Sequence, residues 1–424
     1  MARRLRIAHI IGNLETGGAQ NLLLEIMRRL DRKRFDPFIL YFKDPVHFAE
    51  EIANQGWECH KVHASRAYRI GEIARLVRRL RIYRPDIAHT HSDFANFAGR
   101  AAAICAGVPH VLVHYQNTYE HRLTPQFRRM EARLACRTDA YIACSGGVEN
   151  FLARELDLGD RPVHLMQNSI DLAPYRAAGE DRAAARRHHG IQDGVFHIVH
   201  TARLEPHKQP QQLLLALSLS TTDPSRSLGN WRVTFVGGGS MRDEFGPLLS
   251  KIDGEAEARG GEAISPRVHF VGWSREVPGW LASADAFCLV SKNEGLPLSL
   301  VEAMAAGTPT IASDIVGPRE VIPDERFGLL VQSDQPQTIL DALLRYRRDA
   351  AFREGVVIAA RKRALEFSSE SFVENLGNLY DELAASPGIA SRNKIGLFAK
   401  VAMLLGLRAS ARSQRHAFRA GGIR

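Results

Sequence analysis

Two carboxylates eight residues apart stand in the stretch Ser291-Lys-Asn-Glu294-Gly295-Leu296-Pro297-Leu-Ser-Leu-Val-Glu302-Ala-Met-Ala-Ala-Gly307-Thr-Pro309. Pro297 suits a first helical turn and Gly307 a C′ position, which puts Glu294 in the loop before a helix and Glu302 about a turn and a half inside it. Carboxylates flanking a helix start whose N–H groups are free can bind sugar hydroxyls beside a phosphate, although a glutamate there also serves as a plain dipole partner. Upstream lies Thr201-Ala-Arg203-Leu-Glu-Pro-His-Lys208. Arg203 and Lys208 can reach one point from two directions, and a diphosphate would satisfy both charges. On a bare loop the same pair would simply be solvated. Nearer the start, Gly12-Asn-Leu-Glu-Thr-Gly17-Gly18-Ala19 opens onto an apolar-striped segment, where paired glycines and free helix-start N–H groups favour an anion. It is neither a Walker A loop nor GxGxxG, which disfavours ATP and NAD. His89-Thr-His91 offers two imidazoles without a third ligand nearby in sequence, weak grounds for a metal; we expect them to end a strand.

These groups must be held by regular elements, and the chain supplies them by alternation. Short Val- and Ile-rich runs predict strands at 6–11, 37–42, 87–90, 111–115, 141–144 and 163–166. Ala19–Leu30 and Ile70–Tyr83 carry helical stripes between them. Residues 172–194 are polar, charged and glycine-containing, and read as a linker region. Alternation then resumes with strands at 196–201, 233–236, 268–271, 286–290 and 310–312, and amphipathic segments at 210–220, 241–252, 298–306 and 335–348. The expectation is an α/β chain of two Rossmann-like βαβ domains, 1–180 and 181–369, then a closing helix at 370–386 and a tail at 387–424. Each motif falls where an open α/β sheet binds ligands, past the carboxyl end of a strand.

The 424 residues carry 56 Lys+Arg against 47 Asp+Glu, a formal charge of +9. That surplus suggests nucleic acid until it is located. Residues 387–424 hold eight basic side chains and no acidic one, leaving 48 basic and 47 acidic in the body, a net of +1. A neutral body argues against a nucleic-acid-binding protein. Five scattered cysteines, Cys59, Cys105, Cys136, Cys144 and Cys288, fit neither a disulfide framework nor a structural zinc site and point to a reducing compartment. No apolar stretch is long enough to span a bilayer and the N-terminus lacks a signal-peptide pattern, so a cytoplasmic location is expected.

Taken together, GGAQ (17–20), HTH (89–91), GVPHVLVHYQN (107–117), NSID (168–171), ARLEPHK (202–208), FVGGG (235–239) and EGLPLSLVEAMAAGTP (294–309) give the chain a resemblance over residues 5–385. It resembles the family 4 retaining glycosyltransferases of the GT-B fold, and the last motif matches their Glu-x7-Glu pattern. The resemblance implies two domains facing a central cleft and a UDP- or GDP-linked sugar donor, with no cofactor and no metal. It assigns the diphosphate to Arg203 and Lys208, the sugar hydroxyls to Glu294 and the amides of Gly295 and Leu296, and the ribose to Glu302. Gly17 and Gly18 would close on the phosphate from the other domain. It further implies front-face attack through an oxocarbenium-like state, the leaving diphosphate deprotonating an acceptor that is a glycan or a lipid-linked glycan, as in bacterial cell-surface polysaccharide synthesis.

Four positions depart from the family's pattern. Its histidine beside the transferred sugar is replaced by Gln116 before Asn117, and the nearest imidazole is His114; either residue could take the role, since i and i+2 share a strand face. GGAQ replaces GGAE, NSID replaces Asn-Gly-Val-Asp, and Gly237-Gly238-Gly239-Ser240 lacks the usual proline. A related enzyme such as a nucleotide-sugar epimerase would need more acid/base groups on the sugar, and a phosphorylase a cofactor lysine. Finally, residues 390–412 place Leu397, Phe398, Val401, Leu404 and Leu405 on one stripe flanked by Lys394, Arg408 and Arg412. That pattern fits an interfacial anchor on an anionic membrane surface, giving peripheral attachment, or else a helix docked on the body or a disordered end.

Overall fold

The computed structural model describes residues 3–15, 17–46, 48–62, 70–91, 93–118 and 123–388; the expected membrane-facing tail, 390–412, lies outside the described residues. The chain divides into two compact units. One is built from the chain up to Met166 together with the chain from Val373, the other from Gln167–Phe372.

The first unit holds seven strands: β1 (Leu5–Leu14), β2 (Phe35–Val46), β3 (Cys59–Lys61), β4 (Ile87–His91), β5 (His110–Tyr115), β6 (Ala140–Ala143) and β7 (Val163–Leu165). Their order is β3-β2-β1-β4-β5-β6-β7, with every pair parallel. Ile7, Ala8, Ile10 and Ile11 of β1 are all wholly buried, as a parallel sheet covered on both faces requires. The helix Gly18–Arg29 covers one face with Leu22, Leu23, Ile26 and Met27.

The helix Ser369–Ala385 belongs to this unit as well, from Val373 onward. The Tyr380 ring packs edge-on against Phe35 at 5.7 Å and its hydroxyl meets His89 Nδ1 at 2.7 Å. The segment expected to close the chain therefore completes the sheet packing of the first unit.

The second unit holds β8 (Phe196–Thr201), β9 (Trp231–Val236), β10 (Val268–Gly272), β11 (Ala286–Leu289), β12 (Thr310–Ser313) and β13 (Leu329–Val331). They are ordered β10-β9-β8-β11-β12-β13, again all parallel. In each sheet the order reverses beside its first strand, between β1 and β4 and between β8 and β11. Crevices open past strand carboxyl ends at such reversals.

Residues 172–194 do not form an open linker. They fold as the helices Ala173–Glu180 and Arg182–His188 on the second unit. Their polarity has a use: Arg182 and Arg186 both pair with Asp285, at 2.7 and 3.0 Å, and Arg186 also donates to the Val195 carbonyl. The division at Met166/Gln167 thus comes before the expected boundary at 180.

Candidate active site

At the carboxyl end of β8 the chain turns through Ala202–Glu205 into a short 3-10 turn, Pro206–Lys208. A glycine-rich loop after β9 holds this turn. Leu204 N–H donates to Gly238 O at 2.8 Å, and Ser240 donates to Glu205 through its N–H and its hydroxyl. Gly239 has φ +156°, and a Cβ there would fall 2.4 Å from Leu204 O, so only glycine permits this approach. Arg203 is left exposed. Lys208 turns inward, its Nζ 2.5 Å from Glu294 Oε1, with the two side chains 17% and 8% exposed.

Glu294 sits in the loop between β11 and the helix Leu298–Ala306, as its spacing predicts. Pro297 is the residue before the first turn rather than within it, because its ψ of 94° is extended. Gly307 ends the helix at φ +79°, and its N–H returns to Ala303 and Met304 carbonyls, the left-handed C-terminal cap that favours glycine. Gly295 and Leu296 are buried beside Glu294. Ser291, itself wholly buried, donates its hydroxyl to the same Glu294 Oε1 at 2.6 Å, while its N–H goes to Ser313 Oγ at 2.7 Å.

Glu302 lies within the helix at 8% exposure. Burial pushes its carboxyl up to about 7, opposed by a hydrogen bond from the Tyr175 hydroxyl. Arg203, Lys208, Glu294 and Glu302 thus all belong to the second unit, on the loops and helix that follow β8 and β11.

In the first unit, Gly17 and Gly18 begin the helix Gly18–Arg29, which has no acidic residue in its first turn and no side-chain cap. The loop is braced instead by Gln20 donating to Asn13 Oδ1 at 2.7 Å, so the glutamine of GGAQ has a local structural use. Gln116 lies just past the end of β5, half-buried.

His114 is wholly buried, its ring 5.8 Å from those of His89 and His91. Sharing a strand face with Gln116 did not give it a shared environment, because that face runs under packed side chains one step before the strand ends.

β1 supplies the third imidazole that the sequence around His89 and His91 lacks. Nitrogens of His9, His89 and His91 lie within 4.8 Å of one another. Among the described residues no carboxylate or thiolate joins them, so a divalent ion there would keep its charge in a dry interior. His9 Nδ1 and His91 Nε2 face each other at 3.0 Å as a hydrogen bond. Burial holds all four imidazoles, His114 included, below the usual histidine range, His91 at about 3. A second group, His188, His189 and Glu276, lies nearer the surface, where the His189 ring stacks on Trp280 at 3.7 Å.

Reading residues alone did not single out Ser291, Ser313 or Tyr175. Ser291 stands three residues before Glu294, a signal that could have found it; the contact from Tyr175 has no local signature.

Two family descriptions match in chain order: Glycosyltransferase Family 4 over residues 16–174 and Glycosyl transferases group 1 over residues 181–363. The "Putative glycosyltransferase EpsF" of Bacillus subtilis (strain 168) is 31% identical over 326 residues, covering 73% of this chain and 79% of EpsF. The Escherichia coli UDP-Gal:alpha-D-GlcNAc-diphosphoundecaprenol alpha-1,3-galactosyltransferase is 23% identical over 399 residues, covering 90% and 98%. In fold, the chain is similar to Anabaena Alr3699/HepE, solved in complex with UDP, at a TM-score of 0.74 and 19% identity over 89% of this chain and 100% of the other. Two Rossmann-like units with these loops are thus the GT-B architecture, and the chain belongs to the family 4, group 1 glycosyltransferases, enzymes that take sugar from a nucleotide-sugar donor.

Proposed function

We propose that this enzyme transfers a sugar with retention of anomeric configuration, without a metal, from a UDP-linked donor to a glycan or lipid-linked acceptor of cell-surface polysaccharide synthesis. The observation carrying this reading is the Lys208–Glu294 pair on the loops past β8 and β11, with exposed Arg203 on the first of those loops and buried Glu302 in the helix that follows. Arg203 and Lys208 take the donor diphosphate, Glu294 and the amides of Gly295 and Leu296 the sugar hydroxyls, and Glu302 the ribose. Gly17 and Gly18, at an uncapped helix start, serve the phosphate and the acceptor side.

In the transfer, the bond from the anomeric carbon to the diphosphate oxygen breaks with both electrons leaving on oxygen. The acceptor hydroxyl attacks the same face and its proton passes to the departing diphosphate. Two fixed cations stabilise the charge that develops there, the role a divalent ion would otherwise fill. Of the two residues that could take the family histidine's role, we assign the hydrogen bond to the transferred sugar to half-buried Gln116, because His114 is wholly buried. Support for a UDP donor and a lipid-linked acceptor comes from the names of the Escherichia coli galactosyltransferase and the UDP complex of HepE. Peripheral membrane attachment is consistent with such an acceptor; among the described residues no helix is long and apolar enough to cross a membrane.

The test is a panel of UDP-, GDP- and ADP-sugars scored for thermal stabilisation and donor hydrolysis. UDP-sugars are expected to stabilise wild type, and Arg203→Ala and Glu302→Ala to abolish the effect. Either variant stabilised as strongly as wild type would sink the donor-site assignment.

A further inference from the structure

We infer that Tyr175 is a positioning residue of the nucleotide site, holding the Glu302 carboxyl by a hydrogen bond in the orientation that receives the ribose. The inference rests on the donor-site reading of Glu302. It concerns the helix Ala173–Glu180, which sequence alone assigns to a linker.

That helix follows the NSID turn, whose Ile170 pairs with the returning chain: Ile170 N–H donates to Phe367 O at 3.1 Å and its carbonyl accepts from Ser369 N–H at 3.0 Å. The helix is thereby fixed against the second unit. The half-buried Tyr175 ring packs against the apolar cluster containing Leu172, Val301 and Met304. Its hydroxyl reaches Glu302 from the side of a different element. An aromatic side chain suits this task, because its rigid ring anchors a polar tip at low cost in lost rotamer freedom.

The physical effect follows from the surroundings of Glu302. Burial favours the neutral acid, and a hydroxyl donating to the carboxylate favours the charged form. Lys362, on the helix Ala350–Ala364, is exposed, and three other charges on neighbouring elements are engaged elsewhere. Arg361 donates to Gly179 O and Ala306 O, Arg363 to Glu320 O, and Arg319 pairs with Asp314. Arg176 and Glu180 share the helix of Tyr175, and among the described residues only burial and Tyr175 act on Glu302. An ionised carboxylate accepts from ribose hydroxyls at both oxygens, whereas the acid loses one acceptor site. Tyr175 therefore both aims the group and keeps it competent near neutral pH.

The experiment is UDP binding by calorimetry to the full chain between pH 6 and 8.5, for wild type, Tyr175→Phe and Glu302→Gln, with GDP run in parallel. Wild-type affinity is expected to tighten as pH rises through about 7. Tyr175→Phe should move that midpoint upward by roughly one unit, weaken binding several-fold at pH 7, and recover to within about twofold at pH 8.5. Glu302→Gln should bind weakly throughout, and its profile reports the titration of the diphosphate itself. A Tyr175→Phe variant with the wild-type midpoint overturns the positioning role, as does a loss equal at every pH, the signature of a merely structural defect. Glu302→Gln binding like wild type, or wild type binding neither nucleotide, would instead overturn the donor-site reading beneath it.

Discussion

Lys208 Nζ lies 2.5 Å from Glu294 Oε1, the same oxygen that accepts from the Ser291 hydroxyl. The cation assigned to the diphosphate and the carboxylate assigned to the sugar are therefore one unit before any donor arrives. Residues acting as a unit are non-additive when removed. Lys208→Ala and Glu294→Ala are each expected to lower kcat/KM by about 10²–10³-fold, the usual cost of a preorganised charge contact. The double variant should lose far less than the product of the two. A double-mutant cycle on kcat/KM measures this, and simple additivity would refute the coupling.

Ser291→Ala removes a hydroxyl in a wholly buried position and leaves Glu294 Oε1 with Lys208 as its partner. Expected is a loss of about 1.5–3 kcal/mol in urea unfolding, a normal figure for one buried hydrogen bond to a charged group. KM for the donor should rise while kcat falls less. An unchanged KM would detach Ser291 from sugar binding.

His114 and Gln116 should separate cleanly. His114→Ala opens a void among His89, His91 and the strands, and is expected to lower Tm by several degrees. Gln116→Ala, half-buried at the strand end, should leave Tm nearly unchanged and reduce kcat. Thermal scans paired with initial rates decide it; the reverse pattern would return the catalytic role to His114.

Acid lability is expected from the buried imidazoles. His9, His89, His91 and His114 in the first unit, and His197 and His200 in the second, are all held below the ordinary histidine value by burial; His197 sits at about 3 and His200 at about 4. The unfolded chain thus binds protons that the folded chain refuses, so stability is flat above about pH 6.5 and falls as pH drops toward the folded values. Each group contributes about 1.4 kcal/mol per pH unit once its unfolded form is charged. The four of the first unit are wholly buried and packed against one another, so that unit should fail first. Urea midpoints unchanged from pH 6.5 down to 4.5 would contradict this.

The proposed metal independence is checked by chelation. Full activity is expected after exhaustive treatment with EDTA, with no gain from added magnesium or manganese. Loss restored by one of these ions would mean that Arg203 and Lys208 do not suffice for the leaving group.

Much of this was legible in the residues. Period and punctuation sufficed for strands such as Phe196–Thr201 and for the helix Ile70–Tyr83, since apolar runs and stripes are set locally. Three-residue runs sit at the edge of what a period can show: β7 was read, while β3 and β13 were missed. The helix Ala173–Glu180 was missed for another reason: proline, glycine and charge near its ends read as loop, and its formation depends on packing against distant elements. Among site residues, the chemistry-bearing side chains announced themselves by type and spacing. What orients them, the hydroxyls of Ser291 and Tyr175, did not, since a hydroxyl acquires meaning only from the atom it faces. The burial of His114 was likewise invisible, because alternation along a strand specifies a face and not a depth.

The Tyr380–His89 contact has a consequence for how the chain is made. The first unit is begun by residues translated before Gln167 and completed by 373–388, with the whole of Gln167–Phe372 synthesised in between. Until then the sheet face at His9, Phe35 and His89 lacks its covering helix, and apolar surface of that kind invites aggregation or chaperone capture. The second unit, contiguous in sequence, can complete its packing earlier. A nascent chain cut before residue 373 should therefore hold a finished C-terminal unit beside an unfinished N-terminal one, the reverse of the order of translation.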